Sequence, residues 1–193
     1  MLSLLRKIKV LLAKAILILL ILPSVALAVE SQATDRKTQV KDVQKQINDL
    51  IDQGGKYVYL QIARNNGLSP FAVGRQIDGS IVMLEVPKTE EKATLQNKVL
   101  KLRQMLKLGA DNDKFVAAAL FVQAKVPHKG KEVDGVAIEM EHKSGISVLR
   151  FLPYEVDRSI QKINFKKPVD KIKPSVFFAK KANNKKNKLA KTN

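Results

Sequence analysis

The chain has 193 residues, contains no cysteine, and carries 35 lysine and arginine residues against 18 acidic residues, for a formal net charge of +17. This length is typical of one domain with short additional segments. The lack of cysteine excludes thiol catalysis, a disulfide framework and cysteine-ligated zinc. Aromatic residues make up only 5% of the chain and tryptophan is absent, so we expect no specific nucleic-acid partner, because base-stacking side chains are scarce.

The excess positive charge is concentrated at the two ends of the chain. Residues 1–28 carry four basic residues and no acid, and residues 162–193 carry eleven lysines and one aspartate. Residues 29–161 are nearly balanced, with 20 basic and 17 acidic residues. This distribution indicates a targeting segment and an interaction tail rather than a basic groove on the folded body.

Residues 1–28 have the three parts of a secretory signal peptide. Basic residues come first, the apolar run Ala15–Leu22 follows, and Pro23 then breaks the helix ahead of Ala26-Leu27-Ala28, where we predict cleavage after Ala28. The apolar stretch is shorter than the about 20 residues that a membrane-spanning helix needs. We therefore predict export to the periplasm or the medium, with an uncleaved N-terminal membrane anchor as the alternative.

A linker and a helix are predicted next. Residues 29–37 are polar and indicate a loose linker, and residues 38–179 are expected to form a single domain. Thr38 or Asp35 can cap the start of this helix, apolar residues then recur at helical spacing, and Gly54-Gly55 should end it. We expect the stripe to pack on a sheet, with binding to a partner or a membrane surface as the alternative. Residues 56–66 fit a strand or a short helix, and we favour a helix. The stripe consists of Val40, Val43, Ile47, Leu50 and Ile51.

A hairpin and a second helix follow. The apolar runs 70–77 and 80–86 flank Asp78-Gly79, a strong hairpin signal that we expect to need positive φ at both turn positions. The second helix is predicted to start at Thr89 as its N-cap and to end at Gly109. Its basic side could contact phosphates, but we interpret it as a solvated face. Its buried stripe should consist of Leu95, Val99, Leu102 and Leu106.

The remainder of the body is predicted to be β-structure. Residues 115–126 indicate a third strand, whose alanine run suits a central position beneath a helix. Alternation predicts a second hairpin over residues 133–154, with its turn at Ser144-Gly145. Residues 160–165 and 176–178 are expected to be two further edge strands, separated by prolines that cannot lie inside a central ladder.

The order of these elements predicts an α+β fold with helices packed on an antiparallel five-stranded sheet. By analogy we expect the strand order of profilin-like or roadblock-like sheets, in which the first hairpin and the last strand lie in the middle. Four segments also resemble a group of small bacterial α+β proteins over about residues 68–156 of this chain. The resemblance implies the fold class and implies no activity, cofactor or site residue. The segments are Pro70-Phe71-Ala72-Val73, Asp78-Gly79, Asp134–Gly145 and Phe151-Leu152-Pro153-Tyr154.

Few residues suggest chemistry. Period-two alternation places Glu139 and Glu141 on one face of their strand and His142 on the other. They could form an acid–base pair or part of a metal site, but the sequence places no third ligand beside them. An exposed strand face explains the two glutamates, and a role in the turn explains His142. No nucleophile motif or glycine-rich phosphate loop is present, so we predict no catalytic residue, no metal site and no cofactor.

The end of the chain, residues 180–193, is rich in lysine and asparagine and is predicted to be disordered. Its lysines could bind anionic lipid or another polyanion through screened attraction and counterion release, or could serve only solubility. We predict an exported, non-catalytic domain that binds another envelope protein through an exposed sheet edge or helix face. The alternative is a binder of anionic membranes or polyanions. The lysines concerned are Lys180, Lys181, Lys185, Lys186, Lys188 and Lys191.

Overall fold

The computed structural model contains two α-helices and an open antiparallel sheet of seven strands within the part of the chain that it describes. The α+β class is therefore confirmed. The described residues up to Gln44 belong to one compact unit and those from Lys45 onward to a second, and the packing below concerns the second. The segments 1–21 and 180–193 lie outside the described residues, which are 22–65, 67–90, 92–128, 130–160 and 162–179.

The first helix, α1, spans Leu22–Asn65. Its predicted start at Thr38 or Asp35 is wrong, since residues 29–37 are helical rather than loose. The preference for helix over residues 56–66 is confirmed as far as Asn65. Ala28 lies within α1, and cleavage after it stays a prediction.

The expected end of α1 at Gly54-Gly55 is wrong, since the helix continues through both glycines. Gly54 lies where the helix packs against the sheet. A Cβ atom at Gly54 would lie 2.1 Å from Cζ of Phe121 in the sheet. The missing side chain lets the helix backbone lie directly against that ring, so the glycine marks close approach rather than termination. The apolar stripe continues past it, with Leu50, Val58 and Ile62 buried.

Within the described residues the sheet has seven strands, namely β1 Phe71–Gln76, β2 Ile81–Glu85, β3 Phe115–His128, β4 Lys131–His142, β5 Ser147–Asp157, β6 Lys162–Phe165 and β7 Val169–Ile172. They are the five predicted strands, the expected edge strand at residues 160–165 and one strand that was not predicted, and their order differs from the prediction. Its strands run β2-β1-β3-β4-β5, and both β6 and β7 pair with β5. The profilin-like or roadblock-like order is wrong, because β1 pairs with β3 rather than with the last strand. The second helix, α2, spans Leu95–Asp111.

Both predicted hairpins are present. In the first, the Gln76 amide donates to the Ser80 carbonyl at 2.8 Å and the Gly79 amide donates to the Gln76 carbonyl at 3.1 Å. Only Gly79 has positive φ, at 89°, so the expectation of two such positions is wrong. The loop has three residues rather than two, and its single left-handed position is the glycine.

The second helix begins five residues later than predicted. Thr94, not Thr89, is its N-cap, and the Thr94 side chain accepts the Asn97 amide. The segment Lys88–Glu90 is instead a 3-10 turn. Leu102 and Leu106 are fully buried, whereas Leu95 is 52% exposed. The helix ends at Asp111, two residues beyond the predicted stop at Gly109.

The chain from Lys162 onward runs back along β5. The expected strand at residues 160–165 is confirmed as β6, whereas β7 was not predicted. Residues 176–178 are not a strand. They belong to the segment 173–179, which we call the C-terminal strap, and its Phe177 is fully buried in the core beneath α2.

Candidate functional site

Glu141 is a structural anchor at the end of β4. It is fully buried, so its predicted exposure is wrong. Its carboxylate accepts the amides of Val176, Phe177 and Phe178 at 2.8, 2.8 and 3.2 Å. The Ser175 hydroxyl donates to it at 2.6 Å, and the Lys173 ammonium also donates. A single carboxylate therefore holds the strap through five donors.

This arrangement fixes the charge state of Glu141. Burial by itself raises the pKa of the carboxyl group, but the hydrogen bonds from Lys173, Ser175 and the strap amides more than offset it and hold the pKa below the ordinary glutamate value. Hydrogen bonds donated to a carboxylate favour its charged form. Glu141 is thus an ionised anchor, and its proton is not held for acid–base chemistry at neutral pH.

Glu139 lies two residues away on the same face, as alternation predicted. The Arg103 guanidinium of α2 donates to both Glu139 oxygens, and Lys173 Nζ lies 3.9 Å from Oε2. The side chain is only 13% exposed, so its predicted exposure is wrong as well. Glu139 joins α2 to the sheet.

His142 faces the other side of the sheet, toward α1, and its predicted role in the turn is confirmed. The Ser144 amide donates to Nδ1 at 3.0 Å, so Nδ1 carries no proton and Nε2 donates to Gln46 Oε1 at 3.2 Å. Burial and then the Lys143 charge lower the pKa of His142. The imidazole is therefore neutral and hydrogen-bonded at both nitrogens, and it connects the turn to α1.

The three candidate residues do not converge on one place. Glu139 and Glu141 lie on the face of α2 and the strap, and His142 lies on the face of α1. Within the described residues, no group of three or more histidine, aspartate or glutamate side chains could hold a metal ion. We assign all three residues to the architecture of the fold.

A polar pocket of about 470 Å³ opens on the α1 face at the opposite end of β4. Tyr154 lines it and accepts a hydrogen bond from Gln123 Nε2 at 3.2 Å. Burial, followed by the charge of Asp134, raises the pKa of Tyr154, so the phenol stays protonated at neutral pH. The pocket wall also carries Glu132 and Arg158. The residues that line this pocket carry charges of both signs, but they include no nucleophile paired with a base.

A larger and more apolar hollow, of about 650 Å³, lies on the opposite face of the same end of the sheet. Strands β3, β4 and β5 form its floor. One side is formed by β7 and the residues that connect β6 to β7. Helix α2 packs on β1, β2 and β3, so this far corner of its face lies beyond the helix. The lining residues are Val126, Val133, Phe151, Pro153, Glu155, Lys166, Lys167 and Val169.

The outer side of β2 is the other open feature. Within the described residues β2 pairs with β1 alone. Antiparallel pairs alternate between hydrogen-bonded and non-bonded, and the bond between Gln76 and Ser80 sets the phase. Val82 and Leu84 therefore direct their backbone groups to β1. Three other residues direct theirs outward, namely Ile81, Met83 and Glu85.

The two borders of the sheet differ in how they are protected. Strand β7 carries Asp170 and Lys171 and is flanked by Pro168 and Pro174, devices that discourage strand pairing. Strand β2 contains neither lysine nor proline, and its one charged side chain, Glu85, accepts a hydrogen bond from Tyr57 of α1. The border at β2 is thus apolar and unprotected.

No protein-family model, curated protein or solved structure is significantly similar to this chain. In the part of the chain that is described, no helix combines the length and the apolar character needed to span a membrane. The predicted anion-binding lysines, Lys180 to Lys191, lie outside the described residues. Binding through an exposed sheet edge or helix face stays a prediction. The apolar composition of residues 81–85, which lack lysine and proline, is the sequence signal that could have located the open edge.

Proposed function

We propose that this chain is an exported, non-catalytic module of the bacterial envelope that binds a partner protein by strand addition to β2. The single observation that carries the proposal is the row of outward backbone groups on a strand that contains neither lysine nor proline. An extended segment from a partner would pair with those groups, and its alternate side chains would provide specificity.

Side chains near β2 support the same proposal. Met83 is 39% exposed, and Ile77 at the adjacent turn is 66% exposed. Both lie beside the outward backbone groups, so a partner strand would gain apolar contacts as well as main-chain hydrogen bonds. The signal-peptide pattern of residues 1–28 supports export, and therefore supports the envelope as the compartment.

The experiment introduces proline at outward positions on each border of the sheet. Met83→Pro removes an amide that does not bond β1, and proline is tolerated at such edge positions. Ile172→Pro is the matched control, because Ile172 is 86% exposed and its amide points outward from β7. A photo-crosslinking residue placed at Glu85, or at Asp170 for comparison, reports which border the partner touches in envelope extract.

We expect Met83→Pro to weaken partner binding by roughly tenfold or more, which corresponds to about 1.4 kcal/mol, and Ile172→Pro to leave it unchanged. Crosslinks should form from position 85 and not from position 170. Crosslinks of equal strength from both positions, or full binding by Met83→Pro, would refute strand addition at β2.

A second candidate function is binding of an anionic membrane or polyanion. The observation that favours it is the segment 180–193, with six lysines and no acid. Lysine offers point charges that attract phosphate groups without bidentate geometry. Deletion of residues 180–193 should abolish salt-sensitive binding to anionic vesicles. If the deletion leaves vesicle binding intact, this candidate fails and the β2 proposal is unaffected.

A further inference from the structure

We propose that the apolar hollow at the far end of the sheet binds one molecule of a fatty-acid-like amphiphile, with its acyl chain in the hollow and its carboxylate at Lys167. This hollow is separate from the β2 border, so the inference does not depend on partner binding there. Its volume of about 650 Å³ is within the range of small-molecule sites, about 300–1,000 Å³.

The floor of the hollow is apolar because of strand register. Val126 pairs with Val133, and Phe151 pairs with Val169, which places four apolar side chains from four strands on one face. Gly135 contributes depth, because its missing side chain leaves room for the Phe151 ring. A Cβ atom there would lie 2.3 Å from Phe151 Cζ, so the ring lies down against the sheet.

Two of the apolar side chains that line the hollow remain accessible to solvent. Val126 is 38% exposed and Val169 is 64% exposed, although both lie next to other apolar side chains. Burying them would gain roughly 25 cal/mol per Å² of apolar surface removed from water. A concave, mostly apolar space with a few polar groups at its rim is the usual form of a small-molecule site.

The charge at the rim selects the head group. Lys166 pairs with Glu155 at 2.7 Å, and Glu155 is the one acid that lines the hollow. Among the described residues, Lys167 has no ion-pair partner. An apolar cavity with an uncompensated ammonium at its rim is complementary to an apolar chain that ends in an anion. A neutral or cationic amphiphile would leave Lys167 unpaired or opposed by a like charge.

The test measures binding of dodecanoate, below its aggregation concentration, to the full chain by titration calorimetry. Val169→Glu places a carboxylate against the acyl chain, and its matched control is Ile172→Glu, on the same strand but the opposite face. Lys167→Glu reverses the charge at the rim, and its matched control is Lys143→Glu, on the exposed turn at the other end of β4. All four positions are solvent-accessible, so we expect each variant to fold.

We expect saturable binding of one dodecanoate per chain, weakened roughly tenfold by Val169→Glu and by Lys167→Glu and unchanged by the two controls. Dodecyltrimethylammonium, with the same chain and a cationic head group, should bind at least roughly tenfold more weakly. In the unaltered protein, the methyl resonances of Val126, Val133 and Val169 should shift on titration.

Four results would overturn the proposal. Absence of saturable dodecanoate binding would reject the site, and equal weakening by the controls would place binding elsewhere on the chain. Methyl resonance shifts confined to residues outside the hollow would also place binding elsewhere. This measurement uses the unaltered protein and so does not depend on the folding of any variant. Self-association that the Val169→Glu change abolishes, without dodecanoate binding, would assign the hollow to a second copy of the chain.

Discussion

The strap should depend on the ionised carboxylate of Glu141, and Glu141→Gln tests that dependence. Glutamine keeps one acceptor oxygen and replaces the other with an NH₂ group that opposes the donors of the strap. At least two donors then lose their partner inside the protein, at a cost of about 1–3 kcal/mol each. Removing one partner of a buried, hydrogen-bonded ion pair typically costs about 3–5 kcal/mol. We expect Glu141→Gln to lower the free energy of unfolding by that amount.

Urea unfolding followed by circular dichroism measures the free energy of unfolding. The matched control is Glu139→Gln on the same strand and face. Its partner Arg103 is 39% exposed and can be solvated after the change, so we expect a smaller loss of about 1 kcal/mol. Equal losses in the two variants, or a loss below about 1 kcal/mol for Glu141→Gln, would refute the assignment of Glu141 as the anchor.

The pH dependence of stability gives an independent check on Glu141. Because its pKa is lower in the folded protein than in the unfolded chain, the unfolded chain binds the proton more readily. The stabilisation is complete above the ordinary glutamate pKa and is lost as pH falls through the folded value. Glu141→Gln should remove this part of the acid dependence.

Two more predictions concern α1 and the turn. Gly54→Ala should destabilise the protein by about 1–3 kcal/mol, because the new methyl group overlaps the Phe121 ring. Gly55→Ala meets nothing within 4 Å and should stabilise it by roughly 0.5–1 kcal/mol through helix propensity. A stabilising Gly54→Ala would contradict the close packing. His142 has a lowered pKa, so protonation favours the unfolded chain and the free energy of unfolding should fall as pH drops below the ordinary histidine pKa. His142→Gln should make the free energy of unfolding less dependent on pH between about pH 7 and about pH 5.5. An unchanged pH dependence would contradict a neutral imidazole that is hydrogen-bonded to Ser144.

The hairpins could be predicted from the sequence because their signals are local. Alternating apolar residues and a glycine at the turn determine which side chains share a face, whatever the rest of the chain does. Glu139, Glu141 and His142 were therefore placed on the correct faces. What covers each face is not local, since the strap that meets Glu141 begins at Lys173.

The helix boundaries could not be predicted because their signals depend on packing. Gly54-Gly55 has the composition of a helix end, but Gly54 is needed where α1 meets the sheet, and tertiary packing overrides the local preference. The apolar residues at 176–178 likewise suggest a strand. They are held instead by a buried carboxylate, an arrangement that the sequence pattern does not indicate.

The strand order and the two open features follow from pairing between distant segments. By analogy, five strands suggested a roadblock-like order, but β1 pairs with β3. Strand β7 pairs with β5 and forms a border whose charges and flanking prolines discourage further strand pairing. The opposite border is left to β2, and the hollow forms where α2 stops short. Neither feature can be located before the strand order is known.

Amide hydrogen exchange at Ile81 and Met83 tests the central claim, that β2 accepts a partner strand, most directly. In the isolated protein both amides should exchange rapidly, while the β1-directed amides of Val82 and Leu84 are protected. In the complex with the crosslinked partner, Ile81 and Met83 should become protected to a similar degree. Protection of these two amides before the partner binds, or unchanged rapid exchange in the complex, would contradict strand addition.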